Sequence, residues 1–266
     1  MRLGIVGGGV MGEAFILGLT TRGIAAAASI TVSDIREDRL CELANRYGVA
    51  VTTDNVECVR DRDVVILAVK PQSLPEVYAD LRGRLDPGQL VISIVAGARL
   101  AQLTIGLDHE PIVRVMPNLP AQIGEGVSVW TAAAGVSAEQ RELARRILGA
   151  LGREIAVPEE LYIDMATAVS GSGPAYIFLF MEAMVDGAVH IGLPREVARE
   201  LVIQSFVGSA LFARQAGRHL AELRNMVTSP GGTTTEGLLM MEDAGIRAAI
   251  IRGIVAAYEK SRSLGR

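Results

Sequence analysis

Lysine is nearly missing from this chain. Of its 26 basic residues only Lys70 and Lys260 are lysines, and the other 24 are arginines. Lysine is therefore not available as a general acid in the second half, where Lys260 stands near the end. The arginine bias fits either genome composition or a warm habitat. Cysteine is scarce as well, with Cys41 and Cys58 the whole supply. With no secretory leader, both are expected as packing residues in a reducing, cytoplasmic setting. No uninterrupted apolar run is long enough to span a bilayer, so no membrane association is expected. A net charge of −4 lacks the basic excess of a nucleic-acid binder. The three histidines and two cysteines lie too far apart to suggest a metal site, and no metal is expected. Structural or surface roles suit His109, His190 and His219 better.

What is present describes a packed protein. Half of the 266 residues are hydrophobic and 21% are charged, enough for one large domain or two moderate ones. Leu3–Val6 reads as a short buried strand ending in Val6. Gly7, Gly8, Gly9, Val10, Met11 and Gly12 follow in a G-x-G-x-x-G pattern, and a helix-like run extends from Glu13 to Arg22. Strand, glycine turn and helix in that order are the context of a dinucleotide-binding fingerprint. A second strand, Ser29–Ser33, ends in Asp34, placed 22 residues past Gly12, where an acid would meet an adenosine ribose. Asp34 favours NADH, whereas Arg36 and Arg39 stand near enough to bind a 2′-phosphate. Asp34 as a cap for the helix Arg36–Tyr47 is an equally good reading.

Strands are further expected at Val49–Val51, Asp63–Val69, Leu90–Val95, Ile112–Val115, Gly126–Trp130 and Arg153–Val157. Helices fall between them, including one opened by Thr53-Asp54-Asn55 and one over Ser137–Leu151. The run Asp63–Val69 is apolar between charges, as in a strand buried on both faces of a parallel sheet. After it, Ala68, Val69, Lys70 and Pro71 turn at the edge where ligands of open α/β sheets gather. A solvated loop lysine is the competing view of Lys70. Ala96-Gly97 makes a second small-residue turn. The expected first domain is a doubly wound, mostly parallel α/β sheet over residues 1–160.

From Pro158 the pattern turns helical, giving an all-helical second domain over residues 161–266, with Glu159 and Glu160 suited to a first turn. Met165–Met181 carries no charge and is interrupted at Ser170–Tyr176, where Ser172 can cap a helix and Pro174 sit in its first turn. Gly192-Leu193-Pro194 breaks the helix, Arg195–Gln215 makes the next, and Ala248–Ser263 the last. Helices apolar on most sides need cover, from a partner subunit or from their own domain; homodimerisation is the expectation. Later, Pro230, Gly231 and Gly232 form a turn, and Thr233 with Glu236 has the form of a capping box. Such a loop leaves N–H groups that suit a carboxylate, although an ordinary capped helix reads the same way.

Thr228-Ser229-Pro230-Gly231-Gly232-Thr233-Thr234 resembles the signature loop of the pyrroline-5-carboxylate reductases. Ser170–Tyr176 resembles their second hallmark, and Ala68–Pro71 their A-V-K-P turn. Met116-Pro117-Asn118-Leu119-Pro120 departs from the usual Met-Pro-Asn-Thr-Pro at Leu119, which puts in doubt a hydroxyl contact there. With the glycine turn, these segments run in the family's order over essentially the whole chain. The resemblance implies reduction of a cyclic imine to proline, with NADPH as donor and NADH the alternative. It implies a cofactor site lined by Asn55, the Ala68–Pro71 turn and Ala96, and a homodimer, which in the family also builds rings of dimers.

Neither hallmark of the helical half carries His, Asp, Glu, Lys or Cys. An imine needs no strong acid, because its nitrogen can arrive protonated. Thr234 is the candidate to hydrogen-bond that nitrogen, with Ser229, Gly231, Gly232, Thr233 and Thr234 holding the carboxylate. A β-hydroxyacid dehydrogenase would place a lysine after the glycines of the second domain, and Gly171–Ile177 has none. A related imine reductase or β-hydroxyacid-dehydrogenase-like enzyme acting on another small carboxylate, and a nucleotide sensor without turnover, remain as alternatives.

Overall fold

A computed structural model of the chain describes residues 1–264. It divides into two compact units, one of Met1–Ser172 with the segment from Ala257, the other Gly173–Ala256. The first unit alternates strand and helix: β1 (Leu3–Val6), α1 (Val10–Thr21), β2 (Ile30–Ser33), α2 (Glu37–Tyr47), β3 (Ala50–Thr52) and α3 (Asn55–Val59). There follow β4 (Val64–Leu67), α4 (Leu74–Leu81), β5 (Leu90–Ser93), α5 (Leu100–Leu107) and β6 (Ile112–Met116). The unit continues through β7 (Gly126–Ala132), α6 (Ala138–Gly149), β8 (Gly152–Ala156) and α7 (Leu161–Ala166). All eight strands form one sheet in the order β3-β2-β1-β4-β5-β6-β7-β8. Neighbours are parallel except β6 with β7, whose link through Pro117 and Pro120 is too short for a parallel crossover.

Side chains alternate across this sheet. Val64 and Ile66 of β4 enter a core with Leu3, Ile5, Phe15, Ile16, Trp130 and Ile147. Val65 and Leu67 enter a second core on the other face with Val77, Leu81, Leu103 and Leu107. The central strands are therefore buried on both faces, with Arg114 in the middle of β6 the charged exception. Among the described residues no strand follows Ala156.

The second unit is helical: α8 (Gly173–His190), α9 (Arg195–Ala216), α10 (Leu220–Met226), α11 (Thr233–Asp243) and the first part of α12 (Ile246–Leu264). Its own chain covers little of it. Pro174 is the one buried residue of α8, and α10 and α11 have none. Phe178 is 54% exposed and Leu179 63%, so the view that α8 is buried by its own domain fails.

The interruption expected at Ser170–Tyr176 is met: over Leu161–His190 the regular helix stops at Ala166, passes through a π turn at Thr167–Gly171 and a bend at Ser172, and resumes at Gly173 with Pro174 in its first turn. That 30-residue stretch is long and apolar enough, by length and composition, to cross a bilayer, a test that interface and core helices also pass. One expectation is corrected: the Ser172 side chain caps no helix among the described residues, and its N–H instead closes the π turn by donating to the Thr167 carbonyl at 2.9 Å. By packing, the chain divides at Ser172/Gly173, with Asp164 and Gly171 lying against β6.

α1 and α2 are joined by a charged network. Glu13 accepts hydrogen bonds from Tyr47 at 2.6 Å, from Arg46 at 2.8 Å and from Arg39. Burial alone would raise the Glu13 carboxyl. The hydrogen bonds from Tyr47 and Arg39 and the charges of Arg39 and Arg46 outweigh it and hold the group below its ordinary value of 4.5. A carboxyl depressed in the folded state stabilises above its unfolded pKa, and that contribution is lost as pH falls through the folded value. Glu13→Gln is expected to cost about 1–2 kcal/mol at neutral pH. In denaturant titrations at several pH values, the difference from wild type shrinks on acidification below 4.5.

Candidate functional site

In the first unit the site is built where β1 ends. Gly7 has φ 106°, and its N–H donates to the Ser33 carbonyl at 2.8 Å. A Cβ on Gly7 would stand 2.6 Å from the Ala68 carbonyl oxygen, and one on Gly12 2.1 Å from the Gly7 oxygen. Backbone therefore packs on backbone here, and only glycine fits. Gly9 is different: a Cβ there would meet nothing within 4 Å. It is the N-cap of α1 and makes no side-chain cap, so the first-turn amides beside Val10 and Met11 face open space. Those amides and the helix dipole are of the kind that suits a pyrophosphate.

Around this turn, Asp34 accepts from the Gly8 N–H at 2.9 Å and from the Arg36 N–H at 3.0 Å. The Arg36 side chain stays 55% exposed, 3.4 Å from the Asp34 carboxylate. Asp34 does not cap α2, whose N-cap is Arg36. Arg39 is only 11% exposed and is consumed by the fold, donating to the Gly8 carbonyl at 2.7 Å and pairing with Glu13 and Glu42. This corrects the expectation that Arg39 could serve a 2′-phosphate. The Asn55 amide accepts from Ser33 Oγ at 2.7 Å and donates to Asp80 at 2.8 Å.

The Ala68 N–H donates to the Val6 carbonyl at 2.8 Å, which sets Ala68, Val69, Lys70 and Pro71 beside the glycine turn. Lys70 is exposed and Ala96 half-buried, in the turn after β5. Every one of these residues follows the carboxyl end of a parallel strand. β1 and β4 are neighbours although β2 and β3 intervene in sequence, and ligands of doubly wound sheets bind at such a reversal.

In the second unit, the loop before α11 holds itself. The Gly232 N–H donates to the Ser229 carbonyl at 3.1 Å, and Thr235 Oγ1 reaches the same oxygen at 2.8 Å. Gly231 has φ 66°, and a Cβ on Gly232 would lie 2.4 Å from Ser229 Oγ. The capping box is corrected: Gly232 is the N-cap, no side chain caps the helix, and Thr233 is its first residue. Helix formation one residue earlier puts Thr233 in the first turn, where its hydroxyl cannot close the box. Among the described residues the hydroxyls of Ser229, Thr233 and Thr234 make no hydrogen bond. Ser229 and Thr233 are exposed and Thr234 is half-buried.

A model of pyrroline-5-carboxylate reductase dimerisation matches residues 160–264, and one of coenzyme F420-dependent NADP oxidoreductases matches residues 2–97. The pyrroline-5-carboxylate reductase of Methanosarcina acetivorans is 41% identical over 266 residues, covering 100% of this chain and 98% of that protein. That of Synechocystis is 42% identical, covering 100% and 99%. The chain belongs to the pyrroline-5-carboxylate reductase family. A solved reductase of this family from Coxiella burnetii superposes with a TM-score of 0.91 at 35% identity, covering 100% of this chain and 98% of that one. The Plasmodium falciparum pyrroline carboxylate reductase, solved with NADP bound, gives 0.91 at 30% identity with the same coverage.

Reasoning from sequence missed a cluster on β6. Arg114 is 3% exposed and pairs with Glu160 and Asp164, both at 2.8 Å. The signal was an arginine inside the apolar run Ile112–Val115, with two acids four residues apart.

The glycines predict opposite outcomes. Gly9→Ala is expected to leave thermal stability unchanged or slightly raised, while weakening dinucleotide binding about tenfold or more in fluorescence titration. Gly12→Ala is expected to lower the melting temperature sharply, since the obstacle is backbone.

Proposed function

We infer that this chain reduces 1-pyrroline-5-carboxylate to L-proline, with NADPH as hydride donor. The observation that carries the reading is the entrance of α11. Its first-turn amides have no side-chain cap, and among the described residues three hydroxyls around them have no internal partner, in a loop without an ionisable side chain before Glu236. Such an entrance accepts a small carboxylate through N–H and O–H donors. The residues assigned to the carboxylate are Ser229, Gly231, Gly232, Thr233 and Thr234.

Thr234 hydrogen-bonds the ring nitrogen and orients the imine carbon. A protonated imine that gains hydride at carbon becomes a neutral amine, so no side chain has to deliver a proton in that step. When bound, the reduced nicotinamide supplies the hydride.

The turn from Val6 to Gly12 is assigned to the pyrophosphate, and Asp34, Asn55, Ala68–Pro71 and Ala96 to the rest of the dinucleotide. Arg36 is the cation assigned to a 2′-phosphate, because Arg39 is buried in ion pairs while Arg36, paired only with Asp34, keeps its side chain exposed. Residues 1–160 form the nucleotide domain, and residues 161–266 the substrate and dimerisation domain. A homodimer covers the apolar helices of the second unit. The setting is the cytoplasm, where the exposed thiol of Cys41 stays reduced.

The assay is oxidation of NADPH and of NADH with pyrroline-5-carboxylate. Turnover with neither cofactor would refute the reading and leave a nucleotide sensor. Thr234→Ala is expected to lower kcat/KM for the imine by about 10- to 100-fold; unchanged kcat and KM would remove Thr234 from the mechanism. Arg36→Ala is expected to raise the KM for NADPH about tenfold and leave that for NADH nearly unchanged.

A further inference from the structure

Arg114 carries the observations furthest. It lies on β6 two residues before Met116, so the two side chains share one face of the sheet. Its guanidinium donates to Glu160 Oε1 and to Asp164 Oδ1, each at 2.8 Å. Glu160 Oε1 also accepts the Leu100 N–H at 2.7 Å, so the same node holds the start of α5. The Arg114 Nε is buried without a partner. Asp164 is itself buried. Two carboxylates one turn apart repel unless a cation lies between them, and a buried guanidinium is costly unless paired. Each group thus confines the others, and α7 has one seat on β6.

That seat has a second point of contact. Beyond α7 the π turn Thr167–Gly171 brings Gly171 so close to Met116 that a Cβ would stand 2.8 Å from its Cε. Ser170 Oγ donates to the Ala166 carbonyl at 3.0 Å and Thr167 Oγ1 to the Ile163 carbonyl at 2.8 Å, so the turn's hydroxyls stay within the helix. Insertions of this kind cluster at functional sites because they re-aim the residues that follow. Met116 opens the Met116–Pro120 loop at the ligand-gathering edge of the sheet.

We propose that Arg114 is a positioning residue for imine reduction: by clamping Glu160 and Asp164 it holds Ser170-Gly171-Ser172 against the end of β6. This rests on the reading above that the chain is an imine reductase. Arg114 lies outside the glycine turn, so its effect falls on the imine and not on the dinucleotide.

The test is Arg114→Lys in the full chain, since a lysine keeps the charge but cannot span both carboxylates. Three readouts are taken: steady-state kinetics for the imine, the Kd for NADPH by fluorescence, and amide hydrogen exchange by peptide. The expected result is a loss in kcat/KM for pyrroline-5-carboxylate of at least about tenfold. The NADPH Kd stays within about twofold of wild type, and faster exchange is confined to residues 160–172 and the Leu100 amide at the start of α5. Imine kinetics within about twofold of wild type, in a folded variant, would overturn the proposal. So would a parallel loss of cofactor affinity with faster exchange across the first unit, which marks general destabilisation. If Arg114→Lys does not fold, Asp164→Asn decides by the same split, and no change in its imine kinetics overturns the proposal. A wild-type protein that does not turn over the imine refutes the function itself, while the exchange experiment still reads whether Arg114 holds the π turn.

Discussion

Around β1 the chain packs backbone against backbone with no space for a side chain between. Gly4 meets the Cys58 carbonyl, Gly7 the Ala68 carbonyl, and Gly12 the oxygen of Gly7. These approaches draw α1, α3 and the turn after β4 onto the central strand. They also leave the carboxyl edge open where β1 and β4 stand side by side. Had any of these contacts needed a side chain, the helix start would lie farther from the sheet. The crevice would then lack its floor of amides. The nucleotide half is thus organised by steric exclusion first and by charge second.

The helical half follows another rule. Its loop before α11 has no charged side chain until Glu236, and its donors are amides and hydroxyls. A reaction that develops little charge beyond what its substrate brings can be served this way. The same half leaves Phe178, Leu179, Phe212 and Met240 uncovered by its own chain. Apolar surface of this extent is stable only when something buries it. This surface lies within the residues matched by the dimerisation model.

Arginine's predominance over lysine acquires a structural use. Arg39 and Arg114 are both almost removed from water, and each serves several acceptors at once. A planar fork with fixed donors can do this; a single ammonium on a flexible stem cannot. Arg36 keeps its side chain in solvent three residues from Arg39. Two arginines that look interchangeable in sequence are placed differently, Arg39 tying α1 to α2 and Arg36 half in solvent beside Asp34.

The alternation of strands and helices in the first unit was legible because it rests on local periodicity. The glycine turn was legible because its residues do not work in another order. Strand ends shifted by a residue or two, as at β4, where pairing with β1 and β5 decides how far the ladder runs. The capping box at Thr233 misled because serine-, threonine- and glycine-rich loops offer several start points, and the Ser229–Gly232 turn selects one. The π turn was invisible, since it depends on Met116 lying against Gly171. By itself the sequence determined the kinds and order of elements, the dinucleotide turn and the uncharged loop, all properties of neighbours along the chain. Only the tertiary structure decided which arginines are buried, where α7 sits and which helix faces remain bare. Those depend on partners far apart in sequence, such as Arg39 with Gly8 and Arg114 with Asp164, which meet only when the sheet has formed.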